Sequence, residues 1–275
     1  MSVSTNYLKL ALIVSLILSI CGNYLDNDQQ NRSVQEEIKE SSPIFKRSAY
    51  YGKADGTPFK NCKEILESGV NISGIYEIQP IGSNKLINVT CDMETRGGGW
   101  TVIQRRIDGS VEFYRGWREY KFGFGDLNGE LWLGLESIYH LTAFEANELL
   151  VELVDKDGIS AYALYDSFAI GSEVEGYYLS TLKGYSGDAG DSLSNHLGQK
   201  FTTLDLDQDQ KPDGNCAEIF IGAWWYKNCY ESHLNGKFRN IRWPAAYKYK
   251  GIVWFGFKNN EYFLSQARML IRPKY

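Results

Sequence analysis

Apolar and polar positions change their rhythm twice along this chain. Behind Lys9 runs an unbroken apolar stretch, Leu10 to Ile20, LALIVSLILSI. It falls short of the ~20 residues that a bilayer-spanning helix needs. Its length and flanks predict the apolar region of a secretory signal peptide. Ser19 and Cys21 suit the small positions of a cleavage site after Cys21, so residues 1–21 are read as the signal. Residues 22–59 are polar, with no heptad and no Gly-X-Y repeat, and read as a flexible linker. From Lys60 the pattern becomes that of a folded domain, 60–275. Ile72 to Ile78, Leu86 to Cys91 and Trp100 to Arg105 alternate or are β-branched and predict strands. Leu131 to Leu141, LWLGLESIYHL, has near-helical spacing and predicts a short helix. Leu149 to Val154 and Ala161 to Ile170 predict a strand pair joined by the tight-turn signal Asp155-Lys-Asp-Gly. After about Leu182 strand signals thin out, and Gly, Asp, Asn and Ser dominate to Asn215, which predicts a loop-rich lobe. Strand signals return at Gly251 to Phe257 and Met269 to Ile271. Strands with few short helices and no βαβ alternation give an α+β class.

Composition narrows the function classes. Of the 275 residues, 43% are hydrophobic and 23% charged, which excludes a disordered or collagenous chain. The net charge of −5 leaves no broad basic footprint for nucleic acid. Setting Cys21 aside leaves Cys62, Cys91, Cys216 and Cys229. An even count in an exported chain predicts two disulfides, and sequence alone allows all three connectivities. The spacings provide no C-x-x-C pair and no nearby His pair for zinc. Asn31-Arg-Ser, Asn71-Ile-Ser and Asn88-Val-Thr are glycan acceptor sequons, the last two expected on surface loops.

Candidate chemistry concentrates in the loop-rich lobe. Asp205-Leu-Asp207-Gln-Asp209 continues to Asp213-Gly214-Asn-Cys216. Alternate carboxylates followed by turn carbonyls are hard oxygen donors suited to Ca2+. An EF-hand is excluded, because its sixth position is Gln210 and its twelfth Cys216. In METRGGGW the Walker lysine is missing, so the three glycines read as a tight turn and a close approach of backbones rather than a phosphate cradle. No G-x-S-x-G elbow occurs. His140 is read as a packed core residue of the predicted helix, and His196 and His233 as loop residues. No nucleophile, base and orienting group can be named together, so the sequence argues for binding rather than catalysis. Trp224 and Trp225 are read as core. Phe220, Tyr226, Tyr230, Tyr247 and Tyr249 are candidate walls of a pocket for a small apolar group such as an acetyl methyl.

The segments SGIYEI, CDMETRGGGWTVIQRRIDGSVEFYRGW, YKFGFGDLNGELWLGLESIYHLT, NCAEIFIGAWWYKNCY, HLNG and MLIRP, in this order, resemble the fibrinogen-related domain family. The resemblance runs from about Cys62 to Pro273. It implies a fibrinogen C-terminal globular domain: a small N-terminal sheet, a central antiparallel sheet with short helices, and a loop-rich C-terminal lobe. It implies the pairings Cys62–Cys91 and Cys216–Cys229. It places Ca2+ on the side chains of Asp207 and Asp209. One extra residue before Cys216 puts the ligand carbonyls at Lys211 and Asp213, or at their neighbours Pro212 and Gly214. In ficolins and tachylectin-like lectins an acetyl pocket lies beside the second disulfide. Its equivalents here are a cis Asn228–Cys229 peptide, Phe220, Tyr230 where a His is usual, and Tyr247 or Tyr249; Asn260 stands where some members have Tyr. The implied protein is secreted and extracellular, a calcium-supported lectin-like binder of acetylated or related glycans on cell surfaces in innate immune recognition. The alternative is a protein-binding signalling ligand of angiopoietin-like type, with a protein receptor as partner.

Overall fold

The structure is a computed structural model that describes residues 52–53, 55–238, 249–258 and 263–274. The signal, nearly all of the linker, Asn31, Tyr247 and Asn260 lie outside the described residues. The domain opens with helix α1, Cys62–Glu67. Asn61 caps it by accepting the Glu64 N–H at 3.0 Å, and Glu64 returns a carboxylate to the Lys60 N–H at 2.8 Å. Strands β1 (Gly74–Ile78) and β2 (Ile87–Asp92) form an antiparallel hairpin. The Cys62–Cys91 disulfide ties α1 to β2. Closing a loop of that separation restricts the unfolded chain by about 3–4 kcal/mol.

Strand β3, Trp100–Arg106, follows a turn in which Gly97, Gly98 and Gly99 all have positive φ. A Cβ on Gly98 would lie 2.2 Å from the Met93 carbonyl oxygen, so the triple glycine is a backbone close approach, as its sequence suggests. Helix α2 (Trp117–Phe122) precedes the short strands β4 (Phe124–Gly125) and β5 (Leu131–Trp132). The single helix expected over Leu131 to Leu141 is therefore corrected. Leu131 and Trp132 pair with β3, and helix α3 begins only at Leu135–Thr142. Gly134, at φ 103, breaks the periodicity, and a Cβ there would meet the Gly123 nitrogen at 2.8 Å.

Strands β6 (Asn147–Asp155) and β7 (Ser160–Ile170) form the expected antiparallel pair. Asp155 closes their turn by accepting the Asp157 and Ile159 N–H groups. Strand β8, Leu179–Gly187, extends further than its thin signal suggests. Strand β11, Leu264–Pro273, lies between β3 and β6, giving the order β1-β2-β3-β11-β6-β7-β8. The strand period of two sorts this sheet. Leu149, Val151, Leu153, Met269 and Ile271 are buried on one face. Arg268 and Arg272 on the other pair with Glu152 and Glu148 of the neighbouring strand.

The remaining lobe holds helix α4 (Cys216–Phe220) and the two-residue strands β9 (Ser232–His233) and β10 (Val253–Trp254). Aromatic side chains and their hydrogen bonds organise it. Trp224, Trp225, Tyr226 and Trp254 are buried. Trp225 Nε1 donates to the Tyr177 carbonyl and Trp254 Nε1 to that of Gly190, both at 2.8 Å. The expectation of a core His140 is corrected here. His140 is half-buried on α3, 3.3 Å from Glu136, whereas His196 and His233 are fully buried.

Candidate functional site

The second disulfide, Cys216–Cys229, joins α4 to the segment that borders an open cleft of about 570 Å³. Asn215 positions Cys216 by capping α4 and by donating from Nδ2 to the Thr203 carbonyl at 2.8 Å. The Asn228–Cys229 peptide is cis. Asn228, Cys229 and Tyr230 form one side of the cleft. Asn195, Gln210, Lys227, Glu231 and Phe255 complete it. Of these last five only Gln210 is named from the sequence, as the residue that excludes an EF-hand, and none is expected as a cleft wall. Asn195 and Phe255 come from distant segments, and amides or a lone lysine in a polar loop carry no periodic signal.

The expected aromatic walls divide on inspection. Tyr226 is fully buried, with its hydroxyl 2.7 Å from His233 Nε2, so it is core. Phe220 packs edge-to-face on Tyr230 at 4.8 Å, behind the cleft rather than along it. Tyr230 itself also meets the rings of His233 and Phe255 and donates its hydroxyl to the Tyr249 carbonyl. Burial, followed by the neighbouring Tyr249, pushes its phenol pKa up. Tyr249 enters through its backbone, at φ 71.

His196 holds the lobe from below. Its Nδ1 lies 2.7 Å from the Trp225 carbonyl, and its Nε2 accepts the Glu231 and Ser232 N–H groups at 3.2 Å. That pattern requires the neutral ring with the proton on Nδ1. Burial lowers its pKa to about 4.

The acidic loop adjoins the cleft through Gln210, whose N–H donates to the Lys227 carbonyl at 2.8 Å. Its aspartates are not equivalent. Asp205 turns away, accepting from the Trp117 N–H and the Thr203 hydroxyl. Asp207 accepts the Asp209 N–H at 3.2 Å. Asp209 accepts from the Lys211 and Cys216 N–H groups, each at 2.8 Å. Burial raises its carboxyl pKa, opposed by those two N–H groups and reinforced by the charge of Asp207. Lys211 is half-buried and Asp213 exposed. Among the described residues no group of three or more His, Cys, Asp or Glu side chains converges on a metal position. Any cation here would take its remaining ligands from carbonyls and water, which Ca2+ accepts. Two carboxylates on one loop with successive turn carbonyls fit that donor set.

Asn71 and Asn88 are both exposed. Asn88 lies in β2 opposite Glu77, a correction to its expected loop position; its outward side of the strand faces solvent.

This arrangement belongs to a known class. The family described as fibrinogen beta and gamma chains, C-terminal globular domain, matches residues 58–274, and the chain belongs to that family. Fibrinogen C domain-containing protein 1-B of Xenopus laevis is 43% identical over 256 residues, covering 88% of this chain and 55% of that protein. Human angiopoietin-related protein 2 is 41% identical over 259 residues, covering 94% and 52%. The chain thus spans about half the length of these curated relatives. The fibrinogen-like globe domain of human ANGPTL2 superimposes with a TM-score of 0.76 at 45% identity, covering 79% of this chain and all of that one. A lamprey fibrin D-dimer, complexed with the peptide Gly-His-Arg-Pro-amide, superimposes at 0.72 with 31% identity, over 98% of this chain and 92% of that one. Among the described residues no helix is long and apolar enough to cross a membrane.

Proposed function

We propose that the protein is an extracellular, non-catalytic binding module of angiopoietin-related type that offers the disulfide cleft to a protein ligand. The lining of that cleft carries the reading. Lys227 and Glu231 line it with Asn195, Gln210 and Asn228, beside the rings of Tyr230 and Phe255. Opposite charges and amides at a rim suit a peptide segment with charges of its own. The likeness to angiopoietin-related protein 2 over most of this chain supports the same reading.

A second reading is a lectin-like protein of innate recognition that binds acetylated or related glycans. It is supported by Tyr230 and Phe255, whose rings meet at 5.7 Å and line the cleft beside Cys229. In both readings Ca2+ sits on Asp207 and Asp209 and cross-links the acidic loop electrostatically when bound. Asp209 then orders Lys211 and Cys216, and Gln210 transmits that order to Lys227.

The test is surface-plasmon-resonance binding of the full chain to a panel of receptor ectodomains, beside a glycan array, each in calcium and in EDTA. Saturable ectodomain binding that weakens about tenfold in Lys227→Glu or Glu231→Lys supports the first reading. Calcium-dependent binding to acetylated glycans without any ectodomain binding replaces it with the second.

A further inference from the structure

The outer face of the main sheet is charged where β2, β11 and β6 form it. Asp92 pairs there with Arg268, and Arg268 with Glu152. Toward β1 the same face turns apolar. In β2 the period of two sets Asn88 and Thr90 on the side of Asp92, away from the buried Val89 and Cys91. The hairpin register adds Glu77, opposite Asn88, and Ile75, opposite Thr90. Leu86, two positions before Asn88, continues the row. Ile75 is 36% exposed and Leu86 43%. Strand β1 ends the sheet, with β2 as its one neighbouring strand among the described residues. Exposed apolar side chains at the end of a sheet invite association with another chain.

Asn88 stands between these two apolar side chains. Leu86 precedes it by two positions, and Ile75 is its diagonal neighbour across the hairpin. Both separations are about 7 Å, within reach of one sugar ring. Asn88 is itself exposed, and it opens the sequon Asn88-Val-Thr90. A group carried on its Nδ2 therefore lies over the apolar strip.

The hydroxyl of that sequon fixes when such a group arrives. In the folded domain Thr90 Oγ1 donates to the Leu127 carbonyl at 2.5 Å, 37 residues further along the chain. Ser73, in the sequon Asn71-Ile-Ser, is used in the same way: its Oγ accepts the Met93 N–H at 2.9 Å. Both hydroxyls that a glycosyl transferase reads are thus occupied once the domain closes. Transfer precedes closure, while the chain is still entering the secretory compartment.

We propose that Asn88 carries an N-linked glycan whose first N-acetylglucosamine lies on Ile75 and Leu86, a covalently attached cover for the β1 end of the sheet. In the transfer, Nδ2 of Asn88 bonds to C1 of an oligosaccharide carried on a lipid pyrophosphate. The C1–O bond breaks, the pyrophosphate leaves with the electron pair, and the amide loses one proton. The sugar ring presents C–H groups and an acetyl methyl to the two side chains and its hydroxyls to water. The proposal rests on the extracellular placement of the chain and is independent of what the disulfide cleft binds.

The experiment uses the full chain secreted from mammalian cells grown with a mannosidase inhibitor, so that its glycans can be cut back enzymatically to one N-acetylglucosamine. Peptide mass spectrometry reads occupancy of Asn88. Sedimentation reads self-association of the glycosylated chain, the trimmed chain, Asn88→Gln and Asn71→Gln. The expected result is an occupied Asn88 and association about tenfold tighter in Asn88→Gln, with the trimmed chain and Asn71→Gln unchanged. Adding Ile75→Thr and Leu86→Thr to Asn88→Gln should return association to the level of the glycosylated chain. Unchanged association in Asn88→Gln overturns the proposal. So does a trimmed chain that associates as Asn88→Gln does, since glycan bulk and not the first sugar would then keep chains apart. Equal association of Asn71→Gln overturns it as well. An exported chain with a bare Asn88 overturns this proposal alone, whereas a chain retained unmodified in the cell overturns the extracellular reading with it. If Asn88→Gln is not secreted, enzymatic removal of the whole glycan from the folded parent, which leaves a carboxylate at that position, decides in its place.

Discussion

The backbone N–H of Gln210 donates to the carbonyl of Lys227 at 2.8 Å, which joins the acidic loop directly to the border of the disulfide cleft. Lys227 in turn donates its own N–H to the Cys229 carbonyl at 2.8 Å. Order in the loop is thereby order in the cleft.

Calcium should raise the melting temperature, and EDTA should lower it again. A ligand at one hundred times its Kd stabilises the native state by about 2.7 kcal/mol. The two aspartates should behave differently. Asp207→Ala should abolish the calcium response and change calcium-free stability by less than about 0.5 kcal/mol. Asp209→Ala should also destabilise the calcium-free protein by about 1–3 kcal/mol, because the Lys211 and Cys216 N–H groups lose their acceptor. Calorimetry in calcium and in EDTA reads both effects. A melting temperature indifferent to calcium in the unmodified protein rejects the cation site.

Tyr230 should matter for stability as well as for binding. Tyr230→Phe removes one hydroxyl bond to Tyr249 and should cost about 1 kcal/mol. Tyr230→Ala opens space among Phe220, His233 and Phe255 and should cost about 3 kcal/mol in urea titrations. A Tyr230→Ala protein as stable as its parent would mean that the ring is a free wall and not packed as described.

Stability should fall steeply in mild acid. Burial lowers the pKa of His196 to about 4 and that of His233 to about 3, against 6.5 for a solvated ring. Below pH 6.5 the unfolded chain takes up protons that the folded chain refuses, so the stability present above 6.5 is lost as pH falls toward 4. The slope should approach about 2 kcal/mol per pH unit between pH 6 and 5. Denaturant titrations across that range measure it. His196→Gln should make the slope shallower, and an unchanged slope would show that His196 does not contribute.

Glu130 should be among the least replaceable side chains. It is fully buried and accepts the N–H groups of Ile107, Asp108, Gly109 and Val111. Its Oε1 also lies 3.6 Å from Nε of the buried Arg106, whose pKa burial lowers to about 10. Glu130→Ala should therefore destabilise by about 3–5 kcal/mol. Arg106→Met together with Glu130→Gln should recover part of that loss. Thermal melts of the three variants test it, and a mild effect of Glu130→Ala would refute the buried-anchor role.

Local pattern made some of this legible. WTVIQRR reads as β3 because β-branched residues crowd it, and Asp155-Lys-Asp-Gly reads as a turn because one aspartate closes it with two N–H groups. The full length of β11 is not legible. Its arginines interrupt the apolar signal, and the glutamates that balance them are 116 and 124 residues away. Spacing also cannot show that Gly134 is at φ 103, so strand and helix merged into one apparent helix. The disulfide edge of the cleft is legible only through the family resemblance, because four cysteines by themselves allow three pairings. Phe255 and Asn195 are not, since only tertiary folding brings them there. The depth of His196 and His233 is illegible for a related reason: a polar neighbourhood in sequence says little about burial in the folded lobe.

The position of β11 sets an order of events during synthesis. Every other strand of the main sheet is made before it, yet it separates β3 from β6. Until it arrives, both of those strands present a bare row of backbone donors and acceptors. A nascent chain stopped before Leu264 therefore carries two open sheet edges, each able to pair with another chain. Such a fragment should be sticky rather than partly functional, and a ribosome that stalls there should need a holdase more than one that stalls after Pro273.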